Sequence, residues 1–122
     1  MTTNYIEVRK HYLEQLGQMG KELPGPMSGF GRLHAEVVKN DALDQKTKEL
    51  MSLAVAIAVH CDGCIACHVH DAIEAGATRA ELMDTIGVAL LMGGGPGTVY
   101  STHAMDAIDQ FMAEKAKVIS SN

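Results

Sequence analysis

The sequence predicts an all-α protein. Its apolar residues recur at the three- and four-residue spacing of amphipathic helices, and no long stretch alternates with the two-residue period of a strand. Hydrophobic residues make up 47% of the chain but aromatic residues only 4%, so aliphatic side chains and eight Met supply the bulk for close helix packing. Glycine and proline cluster in two runs, PGPMSGFG and GGGPG, which divide the helical segments.

About six helices are expected, and the first three lie in the N-terminal half. The first covers residues 4–22 and the second 27–39, which two internal glycines weaken. The third begins at a cap supplied by Asp41 or Asp44 and runs to about Val59. Its predicted buried stripe follows helical spacing and consists of Leu50, Leu53, Ala54 and Ile57.

The remaining three helices follow from their end signals. The fourth covers residues 61–76 and stops at a glycine. Thr78 and Glu81 form a capping box for the fifth, which continues to the GGGPG run. The sixth follows Pro96 and runs to roughly Lys117, so that a turn is expected between the last two helices.

Length and charge limit the classes of function. Residues 1–122 are the size of a single domain, and the surplus of apolar side chains in so short a chain predicts self-association. The net charge of -5, without a cluster of Lys or Arg, argues against a nucleic-acid partner. The longest apolar run, Leu53 to Val59, is too short to cross a membrane, and the N-terminus lacks the apolar stretch of a signal peptide. We therefore expect a cytoplasmic protein with no membrane partner.

Three cysteines lie within seven residues, which indicates a redox or metal site rather than a disulfide framework. If the segment from Cys61 is helical, Cys64 lies at about 300° and His68 at about 340° around the axis, so the three share one face. Cys67 falls at about 240°, off centre, and His70 at about 180°, on the far side.

This face combines groups suited to thiol chemistry. Cysteines three residues apart on a helix can form a disulfide without refolding the chain. A helix N-terminus favours the reactive thiolate, and His68, one turn beyond Cys64, can take its proton. Glu49 lies in the preceding helix, and antiparallel packing would bring its carboxylate to His68.

The pattern of Glu49, eleven residues, Cys61, Cys64 and His68 resembles the signature of the AhpD-like alkylhydroperoxidases in the carboxymuconolactone decarboxylase superfamily. The likeness extends over about residues 27–115. It implies an all-helical fold assembled as a homotrimer or homohexamer, and reduction of hydroperoxides without a bound cofactor. It also implies that Cys64 attacks the peroxide, Cys61 resolves the sulfenic acid as a disulfide, Glu49 and His68 relay protons, and an external dithiol restores the reduced form.

The sequence departs from this family pattern at two positions. The best-known peroxidase members carry a histidine just before the second cysteine, where this chain has Gly63. His60, on the other side of Cys61, is a substitute that would point elsewhere. Cys67 is an additional cysteine, for which packing is the favoured interpretation and a role as a second resolving thiol the alternative.

Three other interpretations stay open. One is a lyase of aromatic catabolism, of the carboxymuconolactone decarboxylase type, although that branch is not defined by a cysteine pair. Another is a non-catalytic oligomer whose thiols sense oxidation. The third is a zinc site, which we do not favour because the candidate ligands point to different sides of one helix, namely Cys61, Cys64, Cys67, His68 and His70.

Overall fold

The computed structural model describes residues 2–121, and within them all regular structure is helical, which confirms the predicted fold class. There are five helices: α1 (Tyr5–Glu22), α2 (Pro24–Val38), α3 (Gln45–Ala58), α4 (Asp62–Glu74) and α5 (Arg79–Ser121). No helix in the described part of the chain has both the length and the apolar content needed to cross a membrane.

Side-chain caps fix two of the helix starts. The Asp44 carboxylate accepts a hydrogen bond from the Thr47 N–H at 2.8 Å, so Asp44 rather than Asp41 caps α3. At the start of α5, the Thr78 N–H donates to Glu81 Oε1 at 2.9 Å and the Glu81 N–H donates to Thr78 Oγ1 at 3.1 Å. This reciprocal pair is the predicted capping box.

Helix α2 begins earlier than predicted. The sequence pattern placed its start at residue 27, whereas the helix begins at Pro24. Proline is compatible with the first helical position, because the N–H group that it lacks would have no partner there. The PGP sequence therefore starts the helix instead of delaying it.

The predicted break between the last two helices is present as a kink inside α5, so the chain has five helical elements where about six were expected. Only Gly94 leaves the helical conformation, with φ 65° and ψ -147°, and Pro96 lies in the first turn of the resumed helix. The axis nevertheless turns sharply. A Cβ atom placed on Gly97 would lie 3.6 Å from the carbonyl oxygen of Ala89, whereas eight residues of straight helix span about 12 Å. The GGGPG run thus joins two arms of α5 that pack against each other.

The core lies among α3, α4 and the two arms of α5, with Tyr5 of α1 closing one side. None of the residues of α2 is buried, so this helix lies on the outside of the bundle. Its apolar side chains Phe30, Leu33 and Val37 are more than half exposed, as the predicted surplus of apolar surface requires. The largest fully buried side chains come from the other four helices and are Tyr5, Leu53, Ile57, Ile65, Leu82, Ile108, Glu49 and Val69.

Candidate active site

A tight connection between α3 and α4 presents the first two cysteines. His60 adopts a left-handed conformation, φ 61°, which turns the chain after α3. The Cys61 N–H then donates to the Ala56 carbonyl at 3.0 Å, and Cys61 becomes the N-cap residue of α4. Its Sγ accepts a hydrogen bond from the Cys64 N–H at 3.1 Å. The helix N-terminus therefore acts directly on the sulfur of Cys61, where it favours negative charge.

Cys61 and Cys64 are joined by a disulfide in this structure. Their Cα atoms are 5.2 Å apart, within the range that a disulfide spans without backbone movement. The bond closes one turn at the start of α4 and leaves the rest of the helix regular. The expectation that these two sulfurs can meet without refolding agrees with this geometry.

A histidine–carboxylate pair lies one helical turn beyond Cys64. The Nδ1 atom of His68 is 2.8 Å from Oε2 of Glu49, which joins α4 to α3. The Glu49 side chain is only 1% exposed, and a buried carboxylate requires such a partner. Since the carboxylate engages Nδ1, Nε2 is the ring nitrogen that remains for proton exchange. The structure thus pairs the two predicted relay residues.

Cys64 and His68 open onto a cleft of about 710 Å³ between the C-terminal part of α2 and the outer face of α3. Its walls are mainly aliphatic and include Val37, Leu43, Met51, Val55 and Val59. Pockets that bind small molecules have this character, with apolar walls and a few polar groups at one place.

Lys48 holds the cleft in shape. Its ammonium group donates to the carbonyls of Val37 and Lys39, each at 2.8 Å, and so ties the end of α2 to α3. Cations stabilise the free carbonyls at a helix C-terminus. This role of Lys48 and the contribution of α2 to the cleft could not be predicted from the sequence, since no local pattern connects residues 37 and 48.

The third cysteine is not part of the disulfide. Cys67 is a free, half-buried thiol. Burial, and then the carboxylate of Asp71, raise the pKa of the Cys67 thiol above its ordinary value. The neutral thiol is a poor nucleophile, so this environment supports packing over a second resolving role.

The candidate zinc ligands of the sequence do not form a common coordination site in the structure. Cys61 and Cys64 share a disulfide, and His70 instead binds Asp71, with 2.8 Å between Nδ1 and Oδ1. Within residues 2–121 a different trio brings possible ligand atoms within 4.8 Å of one another, namely His34, Glu49 and Asp71. Glu49 is already bound to His68, so a cation there would compete with that pair.

The sequence profile of the carboxymuconolactone decarboxylase family matches residues 24–107, more than half of the chain. The chain belongs to this family. It is 31% identical over 113 residues to an uncharacterised protein of Cupriavidus necator, covering 93% of this chain and 100% of that protein. A shorter match, 32% identical over 75 residues, relates it to the alkyl hydroperoxide reductase AhpD of Nocardia farcinica, over 62% of this chain and 42% of that protein.

Solved structures of carboxymuconolactone decarboxylase family proteins share the fold. One from Legionella pneumophila is 41% identical and superposes with a TM-score of 0.85, over 88% of this chain and 96% of that one. One from Thermotoga maritima reaches a TM-score of 0.80 at 24% identity, over 94% and 95% of the two chains, which supports the fold alone. The expected AhpD-like fold and family are therefore confirmed.

Proposed function

We propose that this family member reduces organic hydroperoxides through a dithiol–disulfide cycle of Cys61 and Cys64. The observation that carries the proposal is the disulfide at the start of α4, one turn from His68 and its buried partner Glu49, with Cys64 open to an apolar cleft. The similarity to AhpD of Nocardia farcinica supports the same reaction class.

Cys64 is the residue proposed to meet the peroxide, since it lines the cleft together with His68. His68 takes the proton of the Cys64 thiol, and the thiolate attacks one peroxide oxygen. The O–O bond breaks, Cys64 becomes a sulfenic acid, and the departing alkoxide receives the proton from the His68 imidazolium. Glu49 stabilises the imidazolium while it holds that proton.

Cys61 is proposed to resolve the sulfenic acid. Its thiolate attacks the Cys64 sulfur, the S–O bond breaks, and the hydroxide that leaves takes up a proton to become water. This step forms the same Cys61–Cys64 bond that the structure contains, which supports the proposal. An external dithiol then reduces it by two successive thiol–disulfide exchanges and is itself oxidised to a disulfide.

The aliphatic walls of the cleft favour hydroperoxides that carry an apolar group over hydrogen peroxide, because they bury apolar surface on binding. We propose no bound cofactor for this cycle. The cycle depends on thiol reductants, which the cytoplasm maintains, and we propose that the protein works there.

We further propose a homotrimer or homohexamer. The exposed apolar face of α2, with Phe30, Leu33 and Val37, is the kind of surface that a second copy covers in oligomers. Light scattering at several protein concentrations tests this, and a monomer at all of them would contradict it.

The test of function mixes fully reduced protein with one equivalent of cumene hydroperoxide and maps thiol loss by mass spectrometry. We expect one cumyl alcohol and one Cys61–Cys64 disulfide per chain within seconds. Cys64→Ser should abolish the reaction, whereas Cys61→Ser should stop at a sulfenic acid that dimedone traps. The matched control is Cys67→Ser, which should react as the unmodified protein does.

Other outcomes would favour the rival functions. A disulfide that forms only over hours, without turnover in the presence of a dithiol, would indicate a redox sensor. Decarboxylation of a lactone substrate that survives Cys64→Ser would indicate the lyase. Either result would reject the peroxidase proposal.

A further inference from the structure

A second cluster of titratable side chains surrounds the N-terminus of α4, and none of its members lines the cleft. Asp62, the residue after Cys61, lies at its centre. Oδ1 of Asp62 accepts a hydrogen bond from the Tyr5 hydroxyl at 3.1 Å and is 2.8 Å from Nδ1 of His103. The cluster thus brings together three helices, α1, α4 and α5.

The cluster also reaches the residue before Cys61. His103 lies against Tyr100, with ring centroids 4.7 Å apart, and Tyr100 stacks on His60 at 4.3 Å with nearly parallel rings. Cys61 is therefore flanked in the chain by His60 and Asp62, whose side chains both belong to the cluster. The proposed peroxide reaction uses neither of them.

The charges in this cluster bear on the ionisation of the Cys61 thiol. A carboxylate on the adjacent residue opposes formation of the Cys61 thiolate. Tyr5 cannot offset that charge, because burial, reinforced by Asp62, raises the pKa of Tyr5 to about 12 and keeps it neutral. From α5, Asp106 adds a negative charge near Tyr5, and Tyr100 is an uncharged aromatic contact.

Histidines are the groups of this cluster that can carry positive charge. Of the two, His103 contacts the Asp62 carboxylate directly, and its side chain is 31% exposed. A protonated imidazole at 2.8 Å makes the pair neutral as a whole. A neutral pair would no longer oppose a thiolate at Cys61, which the Cys64 N–H already favours.

We propose that the Asp62–His103 pair sets the acidity of the Cys61 thiol, the carboxylate raising and the imidazolium lowering the energy needed to form its thiolate. Both are positioning residues, because they act through Cys61. The use of that thiolate to resolve a sulfenic acid rests on the proposed function. The acidity itself does not, and it can be measured without peroxide.

The test isolates Cys61 in a Cys64→Ser/Cys67→Ser background and follows its alkylation by iodoacetamide from pH 5 to 9. Asp62→Asn should speed alkylation at pH 6.5 about threefold, and His103→Gln should slow it about threefold, equal to half a pH unit each way. The double variant, which carries neither charge, should return close to the starting rate. A purely structural contact would change the alkylation rate in the same direction in both single variants, because both break the same hydrogen bond. It would also not return the rate to its starting value in the double variant.

Three controls complete the design. Tyr5→Phe removes the other hydrogen bond to Asp62 without changing charge and should leave the rate within a factor of about 1.5. His11→Gln and Asp109→Asn make the same chemical changes at exposed positions and should have no effect. If Asp62→Asn does not fold, Asp62→Ser replaces it, since serine also suits a helix start without the charge. Shifts in one direction for both single variants, or no shift in either, would overturn the proposal.

Discussion

Replacing Glu49 with glutamine removes the charge behind His68 while keeping nearly the same shape. The carboxylate is 1% exposed and lies 2.8 Å from the imidazole. A buried hydrogen bond to a charged group contributes about 1.5–3 kcal/mol, and the proposed mechanism needs it most when His68 is protonated. A loss of about 2 kcal/mol in the transition state slows the reaction roughly 30-fold.

The assay is stopped-flow measurement of thiol loss after mixing reduced Glu49→Gln protein with tert-butyl hydroperoxide at pH 7. The matched control is Glu36→Gln, because Glu36 also lines the cleft but its side chain is 61% exposed and bound to Lys39. Exposed ion pairs contribute little, so this control should stay within twofold of the unmodified rate. A folded Glu49→Gln protein that reacts within threefold of the unmodified rate would refute the assigned role of Glu49.

Three further predictions concern stability and reactivity away from the cleft. Folding raises the pKa of Tyr5 from about 10 to about 12, so its contribution to stability is complete below pH 10 and lost as pH rises through 12. At pH 11.5, the free energy of unfolding measured in urea should be lower by about 2 kcal/mol from this cause. The Tyr5→Phe protein should not show this part of the loss. Gly76 has φ 95°, so Gly76→Ala should cost about 1–2 kcal/mol in urea unfolding, whereas Gly87→Ala, inside α5 with free space around it, should gain about 0.5–1 kcal/mol. Because its pKa is raised, Cys67 of the reduced protein should react with iodoacetamide at pH 8 more slowly than glutathione does, as peptide mass spectrometry can measure.

Each of these has a clear contrary result. Equal alkaline losses in both proteins would mean that Tyr5 titrates as it does in the unfolded chain. A Gly76→Ala protein as stable as Gly87→Ala would mean that the left-handed turn after α4 is not required. Alkylation of Cys67 as fast as that of glutathione would mean that its thiol is freely exposed.

Local signals made much of the fold predictable. The Asp44 cap and the capping box of Thr78 and Glu81 each join residues three apart, so both can be recognised as local sequence patterns. The break within α5 was predictable from composition, but its form was not. GGGPG has the composition of a loop, whereas in the structure Gly94 alone leaves the helical conformation and the helix resumes at once.

The candidate site was predictable only in part, because some of its contacts join residues that are distant in the sequence. The spacing of Cys61, Cys64 and His68 places them on one helical face, and the family pattern added Glu49 from the preceding helix. The contact between Asp62 and His103 joins residues 41 apart on α4 and α5, and no periodicity or cap connects them. The cleft depends likewise on where α2 lies, and since α2 buries none of its residues, its own pattern could not indicate that place.

The small size of the ring that the disulfide closes has an energetic consequence for repeated oxidation and reduction. Chain-entropy arguments assign about 2 kcal/mol to a cross-link over four residues, against about 4.7 kcal/mol over a hundred. Residues 61–64 already form one turn in the native chain, so the bond acts mainly on the denatured chain. Reduction therefore removes at most about 2 kcal/mol from the stability of the bundle, less than half of the loss expected for a cross-link over a hundred residues.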